Sequence, residues 1–128
     1  VKLMVPVSAG ELIDKLSILT IKLKRVRDRL QYANIRQQFD ALDSIARDRL
    51  PPLDNLRSEL DEVNVALWDL EDELRQLEAD AEFGERFVAA ARSVYRLNDR
   101  RASIKRQIDS ATGSSIVDEK VYRTVMLD

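Results

Sequence analysis

Arg101 stands where its segment otherwise places apolar residues. In the series Phe87, Ala90, Val94, Leu97, Arg101, Ile104, Ile108 and Ala111, spaced by threes and fours, it is the only charge. A guanidinium in such a seam must reach water or pair with a carboxylate, because an unpaired buried charge costs several kcal/mol. By charge alone, Glu71 and Glu11 are the partners to expect. The residue then either fixes helix register through an internal ion pair or reads an anionic ligand.

Three polar rows at helical spacing run beside the apolar seams. The first holds Glu11, Lys15 and Lys22, the second Asn64, Trp68 and Glu71, and the third Tyr95, Asn98 and Lys105 with Asp99 adjacent. If the rows converge they form a cleft with Trp68 as its wall, and these residues together with Arg101 are the candidates for binding a ligand or partner. The plainer reading makes them the partly solvated flanks of paired helices. No residue is assigned a catalytic role.

The chain has no cysteine and no histidine. That removes thiolate chemistry, the usual neutral-pH general base and the commonest zinc ligand. Chemistry would have to run on carboxylates, lysine, tyrosine, hydroxyls or a hard cation. One such arrangement is the four-carboxylate Mg²⁺ site of all-helical nucleotide pyrophosphohydrolases. Glu59 and Glu62 supply one Glu-x-x-Glu pair, but Asp69 and Asp72, with matching spacing, follow too soon on the same segment. Gly113-Ser114-Ser115 follows a helical pattern instead of opening one, so it does not cradle phosphate. Neither a metal site nor a cofactor is read from the sequence.

These residues must be carried by helices. The 128 residues hold 34% charged side chains and six glycines and prolines together, a balance that favours one helical domain over 1–128. Residues 1–7 form a short extended lead-in in which Pro6 permits at most an edge strand. Ser8-Ala-Gly-Glu11 has the form of a capping box, and a heptad series from Leu12 through Leu16, Leu19, Leu23 and Val26 to Leu30 predicts a helix over about 8–32. A shorter helix over 34–49 ends at Pro51-Pro52. The series from Leu53 to Leu77 predicts a helix over 53–80, and a fourth spans 85–112 before Gly113. The tail 113–128 alternates loosely near its end, which suits a strand. The expected fold is all-α: an antiparallel helical bundle or coiled coil of three long helices and one shorter one, with short terminal β segments. Narrow seams over such lengths predict a homodimer.

Charge is segregated. Lys22, Lys24, Arg25, Arg27 and Arg29 crowd one helix end, Arg92 to Arg106 stud the fourth helix, and acids dominate residues 59–85. Either the basic rows form a groove for an anion or a nucleic-acid backbone, or, more simply, opposite charges on touching helices set pairing and orientation. Nucleic-acid binding is not expected, since no aromatics interleave with the bases and net charge is -2. With no membrane span and no signal-peptide layout, a cytoplasmic location is expected.

Four blocks also carry a family resemblance. They are Pro6-Val-Ser-Ala-Gly-Glu-Leu-Ile-Asp-Lys15, Val63-Asn-Val-Ala-Leu-Trp-Asp-Leu-Glu-Asp72, the stretch from Ala91 to Lys105, and Gly113 to Tyr122. In this order they resemble a small bacterial domain family of uncharacterised function. The resemblance implies proteins that accompany cell-surface polysaccharide glycosyltransferases, and it supplies no catalytic residues. The sequence therefore points to a helical module that binds a protein partner or a small anionic ligand. The alternative is a protein acting on nucleotides or sugar nucleotides through carboxylates, arginine and lysine.

Overall fold

The computed structural model of the chain describes residues 1–123. Four helices follow one another: α1 (Ala9–Arg25), α2 (Arg29–Arg49), α3 (Asp54–Ala79) and α4 (Glu85–Thr112). No strand occurs among the described residues. Residues 1–8 are irregular, so the lead-in is not a β segment, and the expected C-terminal strand falls mostly outside the described residues.

Helix α1 begins as its sequence requires. Ser8 is the N-cap, and its Oγ accepts the Glu11 N–H at 3.0 Å. The predicted continuation to residue 32 is wrong. The chain leaves the helix at Val26, whose N–H closes the last turn on the Lys22 carbonyl at 2.9 Å. A new helix then starts after Asp28, whose carboxylate caps the Gln31 N–H at 2.8 Å. The heptad spacing of Leu23, Val26 and Leu30 concealed this stop, although Leu30 faces solvent. α1, at 17 residues, is thus the shortest helix, and α2, at 21, is longer than the 34–49 expected. The prediction of three long helices and a short second one is corrected accordingly.

The last two helices end in the same hydrogen-bond pattern. At α4, Ser114 N–H donates to the Asp109 carbonyl at 3.0 Å and Gly113 N–H to Ser110 at 3.4 Å, with Gly113 left-handed at φ 63°. At α3, Glu82 N–H reaches Leu77 at 2.8 Å and Ala81 N–H reaches Glu78 at 3.1 Å. Here the left-handed position falls to Ala81, at φ 53°. A Cβ in that conformation costs roughly 1–2 kcal/mol, against about 0.4–1 kcal/mol of extra unfolded-state freedom for glycine. Ala81→Gly is expected to stabilise the fold by up to about 1 kcal/mol. A lower urea midpoint than the parent's would show that the alanine is not strained.

Helices α1, α3 and α4 pack against one another, and α2 packs on α1. Leu12, Ile13, Leu16, Leu60, Val63, Ile104 and Ile108 fill the core, with Ala46 of α2 and Leu53 at the start of α3 completing it. Leu60 and Ile108 are wholly buried. Each such side chain contributes about 1.5–3 kcal/mol by leaving water. No helix among the described residues is long and apolar enough to cross a membrane.

Candidate functional site

A second row runs along α1 beside its apolar seam: Gly10, Asp14, Ser17 and Ile21, spaced by four, three and four and all buried. It faces polar groups on both neighbouring helices. The Arg101 guanidinium of α4 grips the Asp14 carboxylate with two nitrogens, Nε to Oδ1 at 2.9 Å and Nη2 to Oδ2. From α3, the Asn64 amide donates to Asp14 Oδ1 and to Ser17 Oγ, each at 3.0 Å. Lys105, one turn beyond Arg101, places its Nζ 2.6 Å from Glu11, 3.9 Å from Asp14 and 4.0 Å from Asp118.

The Asp14 side chain is only 2% exposed, whereas that of Arg101 remains 30% exposed. Pairing decides the electrostatics. The hydrogen bond to Asp14 raises the Arg101 pKa above the ordinary guanidinium value, burial opposes the rise, and the charges of Asp14 and Glu11 reinforce it. The guanidinium is therefore a permanent cation with a fixed partner.

The same cluster anchors the start of α1. Gly10 N–H donates to Asp109 Oδ1 at 2.7 Å, and Ala9 N–H donates to Ser114 Oγ at 3.3 Å. A carboxylate against these unsatisfied first-turn amides also meets the positive end of the helix dipole. Ser8 Oγ in turn donates to Asp118 at 3.3 Å. The approach of α1 to α4 is close enough that a Cβ on Gly10 would sit 2.5 Å from the Lys105 carbonyl oxygen. Glycine is required here for space.

At the other end of α1 lies a groove of about 460 Å³, opened by the break between α1 and α2. Trp68 forms one wall, Val26 and Ile35 supply apolar surface, and Lys22, Arg25, Gln31 and Asn34 bring polar groups. The Arg25 guanidinium sits 5.9 Å from the Trp68 ring centre and reaches Asp69 at 2.7 Å.

The single cleft expected from the three rows is thus replaced by two separate places. Glu11, Asn64, Arg101 and Lys105 join the buried network, while Lys22 and Trp68 line the groove. Asp99 pairs with Lys120 of the tail. Lys15, Tyr95 and Asn98 are exposed, and Glu71 looks outward toward Arg75 at 3.8 Å. Neither carboxylate proposed for Arg101 grips it. Its partner, Asp14, was missed because it lies outside the heptad seam, although Gly10 and Ser17 flanking it mark a close helix approach. Charge pairing between helices is real, with Arg25–Asp69 joining α1 to α3 and Arg86–Glu73, at 3.4 Å, joining α4 to α3. Glu59 and Glu62 are exposed on α3, and among the described residues no group of three or more carboxylates stands where it could share a metal ion.

A family model spans residues 3–127, and its description is a family of unknown function, DUF6165. The chain belongs to this family. No curated protein and no solved structure matches it. The DUF6165 match takes in all four helices, so the buried network and the groove both lie within the family domain.

Proposed function

We propose that the chain is a non-catalytic helical binding module that works as a homodimer. The observation that carries this reading is the closure of the polar network. A catalytic carboxylate must offer a lone pair or a proton to a ligand. Both oxygens of Asp14 are taken by Arg101, one also by Asn64, and the group is almost fully removed from solvent. Its chemistry is therefore internal, and recognition falls to the surface.

Self-association is supported by apolar side chains left in solvent at one end of the molecule. Leu3, Met4, Val5 and Val7 are exposed on the lead-in, and Ile116 and Val117 are exposed on the tail. The two segments are held together by the Ser8–Asp118 and Ala9–Ser114 bonds. A two-fold contact would cover the same patch on both copies. Such a module fits an accessory place beside cell-surface glycan biosynthesis, the setting that the family resemblance implies.

Size-exclusion chromatography with light scattering on the full chain is the test. A dimer is expected at micromolar concentration, with Val5→Lys shifting it toward monomer. A strict monomer at high micromolar concentration would defeat the dimer.

A further inference from the structure

We propose that the groove between α1, α2 and the middle of α3 binds a small anionic ligand that carries a flat ring, of the nucleoside-phosphate class. The proposal rests on the binding-module reading and names the ligand for it. Its size suits such a molecule, since small-ligand sites occupy roughly 300–1,000 Å³ and the groove holds about 460 Å³.

The lining divides into the parts that such a ligand needs. Trp68 is half-buried and lines the groove, so its indole is held in place at the wall of the cavity. Val26 and Ile35 extend that face with apolar surface. Stacking a base on an aromatic side chain contributes about 1–3 kcal/mol and tolerates different bases. Arg25 already lies over the indole at 5.9 Å and is neutralised by Asp69. Lys22, one turn earlier on the same face of α1, is exposed and has no side-chain partner among the described residues. It is the cation left to meet a phosphate. Gln31 and Asn34, on the first turns of α2, set amide donors and acceptors on the rim, where hydroxyls or ring edges can be read.

The groove exists because the helix breaks. Had α1 run on through residue 32, the side chains of Gln31 and Asn34 would not stand beside Lys22 and Trp68. The Asp28 cap that starts α2 is therefore part of the site's construction. Lys24, Arg27 and Arg29 surround the break and raise the local potential for an approaching anion. No acid lines the groove; the nearest carboxylate tied to it is Asp69 of α3, which is held by Arg25.

Trp68 is the only tryptophan of the chain, so its fluorescence reports this groove alone. The test is a titration of the full chain with UDP at low salt, without added metal, beside uridine and inorganic pyrophosphate. Calorimetry serves as a second readout. UDP is expected to quench the emission saturably with a sub-millimolar Kd, and uridine and pyrophosphate each to bind at least tenfold more weakly. Lys22→Gln, a surface change that leaves the fold intact, is expected to weaken UDP by about tenfold. Trp68→Leu is expected to weaken it similarly by calorimetry.

No saturable response at low millimolar UDP would overturn the site. So would an unchanged Kd in Lys22→Gln, or pyrophosphate binding as tightly as UDP. The UDP is expected back intact. If it returned as UMP and phosphate, the non-catalytic reading would fall while the site stood.

Discussion

Asp14→Ala is expected to destabilise the protein by about 3–5 kcal/mol, a large share of the stability of a domain of this size. The change removes the acceptor from Arg101 and from Asn64 together, and it leaves a guanidinium drawn into an apolar seam without its counter-charge. Because Arg101 is 30% exposed, it can swing toward water, which places the loss toward the lower end of the range. Replacing both partners should behave differently. Asp14→Leu with Arg101→Met fills similar space with apolar groups, and buried ion pairs exchanged in this way often lose little. The Asn64 amide keeps only its bond to Ser17, so a smaller loss than in Asp14→Ala is expected instead of none. Urea unfolding of the two single variants and the double variant measures the contrast. A double variant as unstable as Asp14→Ala would mean that the pair contributes more than its mutual satisfaction.

The second large effect is expected at Gly10. Its Cβ would meet a backbone carbonyl, Lys105 O, at 2.5 Å and the Asp109 carboxylate at 3.0 Å. A backbone atom cannot rotate away, so α1 must move off α4, stretching the Gly10–Asp109 hydrogen bond and the Lys105–Glu11 pair. Overpacking of this kind costs about 1–3 kcal/mol. Alanine returns some of that through its better helix propensity. The net loss for Gly10→Ala is expected at about 1–2 kcal/mol. Gly84, where an added Cβ meets nothing within 4 Å, is the control. Gly84→Ala alters only the capping preference at the start of α4 and should cost under about 1 kcal/mol. Equal losses at the two positions would contradict the close approach.

Much of the fold was legible in apolar spacing. The start of α1, the Pro51-Pro52 stop and the Gly113 stop follow from local chemistry that needs no tertiary partner, whereas α3 and α4 begin without a side-chain cap. The α1–α2 break was not, because Leu23, Val26 and Leu30 keep heptad spacing across it. Spacing reports a face, and it says nothing of whether the backbone continues. Asp28 carried the missing signal: an aspartate can begin a helix as readily as decorate one, and only its bond to the Gln31 N–H decides. The network was half legible. Arg101, Lys105, Glu11 and Asn64 were singled out as polar groups in or beside seams, but the carboxylate at their centre was hidden behind the leucine series of α1. Its row reads Gly-Asp-Ser-Ile, and a charge flanked by small residues looks solvated until a second helix is known to lie against it. The groove needed the break, so Gln31 and Asn34 could not have been joined to Trp68 from spacing.

In the proposed reading, the buried charges hold the helices in place while recognition happens on the surface. The most direct test measures self-association and the Trp68 response to UDP in the folded Asp14→Leu, Arg101→Met double variant. Both are predicted to match the parent within about twofold, because neither substituted side chain lines the groove or the exposed apolar patch. A double variant that keeps its helical content and stability yet loses both responses would contradict the account, and would return Arg101 and Asp14 to the functional site.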